Sequence, residues 1–461
     1  MLSAATDVDI AIIGGGPAGA AMAIALRQAN RDLSVAVLEA SDYSRFRVGE
    51  TVPPTFRQLL QQLGLWEVFV ADGHQPSLGT SGVWGGPEVV YQDFLFRPMG
   101  HGWCLDRNRF ERTLAREAMA RGASVITGVR VIGHEQLADG RWQLTVRDSS
   151  ARFASGTKAR QTDSLRASFV VDASGHRAMF ASKQGSPRLW YDHLVGVSAL
   201  FTLPDTTPSG GQHVRIEACQ QGWWYAAKLP NKRAVVTWMS DGDIVRQHEY
   251  HRLVQWTALL NETHHIKKLV AEATMPDRLQ VHSAASCRLR HVVGPNWIAI
   301  GDAACTFDPL SSAGITKAMD SALQATEAVS QFLAGDLHAL ASYEQQFNRQ
   351  HQEYMKIRKA YYAQEQRWPN SAFWLRRQEH ITLSPSQNIH FRKVAKRKLE
   401  RATMYLPSSE LQQLCYLCEE ACPASDVVAA FQKQSKERVP TRHILLALQY
   451  LIERDIIACV G

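Results

Sequence analysis

The apolar positions of this chain fall into short blocks whose period changes along its length. Ile10-Ala-Ile-Ile and Val35-Ala-Val-Leu are continuous apolar runs of strand length, with a small and apolar stretch at residues 18–26 between them. Short runs bounded by turn residues read as buried strands, and the longer small-residue block as a helix. An amphipathic helix is expected over residues 55–69, and an apparent strand–helix unit begins at Trp103 and ends near Gly122. Val125, Val129 and Val131 mark short strands leading to a hairpin at Asp139-Gly140. Phe169-Val-Val and Trp297-Ile-Ala-Ile are further buried strands, the second followed by a helix over residues 316–333. Between about residues 185 and 290 the helical period gives way to strands, including a hairpin from Gly222 to Met239 that turns at Asn231-Lys232. This order predicts an α/β fold with a strand-rich second domain.

The first turn carries the chemistry. Gly14, Gly16 and Gly19 follow directly on the first strand and open the first helix. The first glycine permits the tight turn, the second lets a pyrophosphate approach the backbone, and the third lets helix and strand close together. The helix N-terminus then faces the phosphates. Glu39 ends the second strand about 20 residues further on, where a carboxylate accepts ribose hydroxyls. Strand, glycines, helix, strand and acid together predict a bound dinucleotide. No second fingerprint of this kind is present for a nicotinamide domain, and no Cys-x-x-Cys accompanies the first.

Length and composition narrow the setting. The chain has 461 residues, 45% hydrophobic and 21% charged, which suits two or three globular domains. No apolar run reaches the roughly 18 residues of a membrane span, and the first eight residues lack a basic export region. The expectation is a cytoplasmic protein whose eight cysteines are reduced. The net charge of +7 is uneven: residues 349–401 hold 13 Lys/Arg against four Asp/Glu. Aromatic residues from Tyr361 to Trp374 interleave with this basic stretch, which favours packing or protein contact over a bare polyanion-binding tail.

Beyond the glycine turn, four strings carry a resemblance: Arg45-Phe-Arg-Val-Gly-Glu, the Arg107 segment, Val171-Asp-Ala-Ser-Gly, and Gly301-Asp-Ala-Ala through Asp308-Pro-Leu-Ser-Ser-Ala-Gly. In this order they resemble the FAD-dependent monooxygenase and halogenase superfamily built on the hydroxybenzoate-hydroxylase fold. The resemblance covers roughly residues 8–345. It implies a Rossmann-like FAD-binding domain interleaved with a mostly antiparallel β-sheet substrate domain (about 80–100 and 185–290). A basic helical connector at 346–402 is expected to follow, and residues 403–461 resemble a small winged-helix-like module, with a plain C-terminal helical cap as the competing reading. The implied FAD contacts are Gly14, Gly16, Ala18, Gly19, Glu39, Arg45, Arg107, Gly301 and Asp302, then Pro309, Ser312, Ala313, Gly314 and Ile315 of the turn beside the flavin pyrimidine edge. A helix N-terminus there stabilises the anionic reduced flavin. The implied chemistry is oxygen activation as a C4a-hydroperoxide, with electrons from NAD(P)H directly or through a flavin reductase.

Trp223, Trp224 and Tyr225 place rings on both faces of one strand and, with Glu50 and Ser311, are the candidate substrate pocket. Glu50 is the candidate acid or base; a capping or ion-pair role is the competing reading. Halogenases of the superfamily need a lysine shortly after the Gly-Glu segment and a glutamate after Asp-Pro-Leu. Here the first lysine is Lys158, and Ser311 stands at the second position. Hydroxylation is therefore expected. With the tail, these departures resemble the flavin monooxygenases that oxygenate a tryptophan of a partner polypeptide during cysteine tryptophylquinone formation. A polypeptide substrate held in part by the tail is the implied partner, with no nucleic acid and no membrane. Cys415, Cys418 and Cys422, spaced for one helical face, lack a fourth ligand and read as core rather than metal-binding. Three alternatives stay open: an oxygenase or halogenase of a small or carrier-bound aromatic, a geranylgeranyl-reductase-like enzyme, and a non-catalytic flavoprotein chaperone.

Overall fold

The computed structural model describes residues 6–44, 47, 49–94, 98–149, 162–206, 212–379, 381–400, 403–435 and 437–460. Its first sheet is nucleated by the opening strand Thr6–Ile13, which lies parallel between Val35–Leu38 and Thr162–Asp172. Trp297–Ala299 adds parallel to the far side of Thr162–Asp172. Ile13, Leu38 and Asp172 are register partners, so the parallel strands end together and open one crevice at their carboxyl edge. Continuous apolar sequence is what such a sheet requires, because helices cover its faces. The helices Pro17–Ala29 and Gly314–Leu333 pack on each other, both contributing buried alanines that allow close approach.

The second sheet has nine strands and is mostly antiparallel, with one parallel pair, Gln212–Cys219 on Gln75–Val83. Gly222–Leu229 and Arg233–Asp241 form its central hairpin. Leu229 pairs with Arg233 across a three-residue turn, Pro230-Asn231-Lys232, in which Asn231 and Lys232 both take positive φ.

The expected strand–helix unit is present as Gly102–Cys104 followed by Arg107–Ala120, and the strand pairs with Gln75–Val83 and Thr51–Val52 in the second sheet. Two local expectations are corrected. The helix expected over residues 55–69 is two helices, Phe56–Gln62 and Trp66–Ala71. Gly64, at φ +60°, ends the first in a conformation that side chains resist. The three cysteines do not share a helix: Ser408–Leu417 stops before Cys418, and Cys422 lies on the strand Cys422–Pro423.

The tail forms its own core. Helices Ser408–Leu417, Ala424–Gln434 and Thr441–Glu453 pack on a three-stranded sheet with Asn388–Phe391 at its centre. Cys415 and Cys418 are buried in that core. The module docks on the rest of the chain through the Arg290–Glu410 ion pair at 2.6 Å and a bond from Tyr405 N to Trp190 O. Part of the basic stretch turns inward rather than facing solvent. On the long helix Ala339–Ala363 Arg358 is buried, and on Ala372–Gln378 Arg377 is buried against Asp241 at 2.8 Å. Among the described residues, no helix is long and apolar enough to cross a membrane.

Candidate functional site

The glycine turn sits at the crevice and each glycine has a distinct reason. A Cβ on Gly14, which has φ +106°, would overlap the Ala173 carbonyl; one on Gly19 would overlap the carbonyl of Gly14. These two are demanded by the chain itself. A Cβ on Gly16 would meet nothing within 4 Å, so the space in front of it is open. Gly16 also caps Pro17–Ala29 without a side-chain hydrogen bond, leaving the first-turn amides unclaimed by a capping side chain. That open, N–H-lined cradle fits a pyrophosphate.

Glu39 lies beside this turn as expected, but the chain already engages both its oxygens. Oε2 accepts from Gly15 N at 2.7 Å and Oε1 from Ser41 N at 2.8 Å. A ribose reaching it would exchange with one of these donors. Arg107 donates to Gly49 O and pairs with Glu111, which also pairs with Arg47 at 2.9 Å. Arg45 falls outside the described residues. Sequence reasoning missed Tyr43, whose hydroxyl donates to Gly15 O at 3.0 Å and braces the turn from outside. It also missed what Asp172 does: its carboxylate accepts from Ser174, Phe180 and Ala181 amides and shapes the turn after its strand.

The segment after Trp297–Ala299 closes the other side. Gly301 takes φ +57° and packs so tightly on Ala18 that a Cβ would collide with it. Asp302 is thereby held near the first helix, half exposed, with Lys317 Nζ at 2.8 Å. Lys317, a second residue missed from sequence, also donates to Cys305 O. Pro309 begins a single 3-10 turn, Ser312 is left-handed at φ +47°, and Ala313 and Gly314 start the next helix without a capping side chain. Gly314 faces open space, as Gly16 does, while Ile315 points into the core. The two uncapped helix ends fit a cofactor with phosphates at one end and an electron-accepting ring at the other.

The expected pocket residues part company. Trp223 and Tyr225 share one face of Gly222–Leu229 and Trp224 takes the other. Trp224 packs on Trp256 and Trp238 in the core behind the sheet. Trp223 lies beneath Trp84 and donates to the Tyr362 hydroxyl at 3.1 Å. Both tryptophans are 0% exposed, so neither faces a water-sized space. Tyr225 is half-buried and its hydroxyl donates to Thr51 Oγ1 at 3.3 Å. Glu50, next to Thr51, is 1% exposed, and its Oε1 has no partner among the described residues. Burial pushes its carboxyl up to about 7, against the pull of backbone amides and the Arg107 charge. A carboxyl poised near neutrality beside an aromatic face can hold or release a proton. Ser311 is exposed and its Oγ donates to Asp308 O. Among the described residues, no cluster of three or more His, Cys, Asp or Glu could hold a metal.

Comparison with known proteins agrees with this geometry. The family model for the FAD binding domain matches residues 7–357. The FAD-dependent oxidoreductase LodB of Marinomonas mediterranea is 36% identical over 372 residues, covering 80% of this chain and 96% of that protein. The tryptophan 2-halogenase of Chondromyces crocatus is 25% identical, covering 72% of this chain and 63% of its own length. Among solved structures, the myxobacterial chondrochloren halogenase CndH superposes with a TM-score of 0.72 at 22% identity over 97% of both chains. The peptidyl tryptophan dihydroxylase QhpG, essential for tryptophylquinone cofactor biogenesis, superposes with a TM-score of 0.64 at 21% identity over 97% of this chain and 99% of its own. Because the family match runs from before the glycine turn into the long helix, it takes in both helix ends that build the site: the chain belongs to the FAD binding domain family and is an FAD-dependent enzyme similar in sequence to flavin-dependent halogenases.

Proposed function

We propose that this flavoenzyme is a monooxygenase that hydroxylates a tryptophan side chain of a partner polypeptide during formation of a tryptophylquinone cofactor. The observation that carries the reading is that, among the described residues, the positions where halogenases carry their lysine and glutamate hold no such free group. Strand Gln75–Val83 has no lysine. Lys317, at the start of Gly314–Leu333, is engaged by Asp302 and Cys305. Ser311 occupies the place where halogenases carry a glutamate, and it bonds its own turn. The fold likeness to QhpG, a peptidyl tryptophan dihydroxylase, runs through the tail, as does that to CndH, and the QhpG likeness is what suggests a polypeptide substrate.

When bound, FAD supplies the electron transfer and the activation of O2. The chain's own residues bind, orient and exclude water. Gly14, Gly16 and Gly19 with the first-turn amides of Pro17–Ala29 would hold the pyrophosphate. The start of helix Gly314–Leu333 would face the ring edge, the amides of Ser312 and Ala313 being engaged by Pro309 O and Ser311 Oγ. The packed layer of Trp84, Trp223 and Tyr362 keeps water from one flank. Glu50, neutral up to about pH 7, holds a proton at its unpartnered oxygen beside Tyr225. Electrons come from NAD(P)H directly or through a flavin reductase, and the tail holds part of the polypeptide.

The test is to mix reduced protein, O2 and a tryptophan-bearing precursor polypeptide encoded beside this protein, then weigh the polypeptide. A gain of one or two oxygens on a single tryptophan supports the reading. An unchanged mass while the flavin still turns over O2 refutes it, and a gain that depends on chloride or bromide makes the protein a halogenase instead.

A further inference from the structure

A line of buried polar groups runs from the Trp223–Tyr362 contact of the substrate sheet to the flavin-facing turn, and only that first contact belongs to the site described above. Trp223 Nε1 donates to the Tyr362 hydroxyl at 3.1 Å, which donates in turn to Asp308 Oδ2 at 2.8 Å. Arg358 Nε reaches the same oxygen at 3.3 Å, and its NH2 group pairs with Asp192 Oδ2 at 2.6 Å. Asp192 is fixed by the amides of Leu194 and Ser286. Asp308 in turn organises the turn that follows it. Its Oδ1 accepts from Leu310 N at 3.0 Å, its carbonyl accepts from Ser311 N, and its own amide donates to Tyr354.

Every member is buried: Trp223 and Tyr362 at 0%, Asp308 at 1%, Asp192 at 4% and Arg358 at 6% exposed. Buried polar groups cost free energy unless satisfied, so a chain like this has one low-energy arrangement. Each hydroxyl proton also has one consistent direction, from indole through phenol to carboxylate. Tyr354, Arg358 and Tyr362 all lie on the long helix Ala339–Ala363, so one rigid element sets the place of Asp308 and of the turn after it. Two carboxylates, Asp192 and Asp308, share the Arg358 charge. What reaches the flavin from Asp308 therefore depends on how well Arg358 and Tyr362 neutralise it.

We propose that Tyr362 and Arg358 are positioning residues that set the flavin-facing turn through Asp308, coupling the substrate sheet and the long helix to the reduction potential of the bound flavin. This rests on the reading that FAD lies against residues 309–314. Removing the Tyr362 hydroxyl leaves Asp308 with less hydrogen-bond compensation and leaves the Trp223 indole unpaired. More uncompensated negative charge near the ring edge disfavours the reduced anion.

The test compares the FAD-loaded wild type with Y362F and R358K, both of which nearly keep volume, and with Y361F as a control on the exposed side of the same helix. FAD affinity, visible circular dichroism of the bound flavin and its midpoint potential are measured for each. Because the Tyr362–Asp308 bond exists without FAD, its loss weakens free and loaded protein alike. Y362F therefore raises the FAD dissociation constant by less than the roughly five-fold that a whole lost hydrogen bond would give. Its midpoint potential moves to more negative values with an altered dichroism band, R358K moves the same way, and Y361F does not move. A purely structural role would lower the melting temperature and leave the potential of the bound flavin unchanged; that result overturns the proposal. If Y362F does not fold, R358K decides by the same criteria. A wild type that takes up no FAD would instead refute the flavin reading beneath it.

Discussion

Glu50 gives the sharpest test of the site's electrostatics. Its carboxyl titrates near 7 in the folded protein against about 4.5 unperturbed, chiefly because burial strips its hydration. The folded state thus holds a proton that the unfolded chain releases over that interval. Below about pH 4.5 the group is neutral in both states and contributes nothing. As pH rises towards 7 the penalty for a buried charge accumulates, and above 7 it is complete. A separation of about 2.5 units corresponds to roughly 3 kcal/mol. Glu50→Gln keeps the shape and never ionises, so it escapes the penalty. Scaling the usual unfolding entropy to this length, 1 kcal/mol is about 1 °C in melting temperature. The melting temperature of FAD-free E50Q minus that of FAD-free wild type should therefore rise by about 3 °C between pH 4.5 and 8. Paired thermal melts across this range decide it. A difference that stays flat, or falls with pH, refutes an unpartnered buried carboxyl at this position.

Three further outcomes follow from the geometry. Gly16→Val should fold, because its side chain enters open space, yet purify colourless, whereas Gly19→Ala should lower the melting temperature by pushing on the Gly14 carbonyl; flavin absorbance and thermal melts separate the two. Trp224→Ala should cost about 3–5 kcal/mol from the core behind the sheet while leaving the flavin spectrum as in wild type, and a spectral change would contradict its placement on that face. Arg377→Met should cost about 3–5 kcal/mol by stripping Asp241 of its closest partner. Arg376, also paired with Asp241, stays in place and moderates that loss towards the lower end, and a melting temperature equal to wild type would show the pair to be dispensable.

The amino-acid order alone determined the strand, glycine turn, helix, strand and acid of the first 39 residues. The positive φ of Gly14 and the close approach of Gly19 to the Gly14 carbonyl are met within a few positions, and the acid stands at the end of the next strand. Gly14, Gly19 and Glu39 therefore show in the spacing, although the room Gly14 needs beside Ala173 does not. The two departures from halogenase pattern, the missing early lysine and Ser311, were equally legible because they are identities at motif positions. Tertiary structure decided the rest. A three-residue strand such as Gly102–Cys104 has no local feature that assigns it to one sheet over another; its partners, Gln75–Val83 and Thr51–Val52, do. Strand alternation separated Trp224 from Trp223 and Tyr225, but only the packing of Trp84 and Tyr362 made Trp223 fully buried. Sequence counts charges without their partners, so it could not show which part of the basic stretch turns inward: Asp308 lies 50 positions before Arg358 and Asp241 lies 136 before Arg377. A buried ion pair is a property of two distant segments brought together, and its desolvation is set by everything packed around them. That is why the cofactor cradle could be read from the chain, and the polar line that steadies it could not.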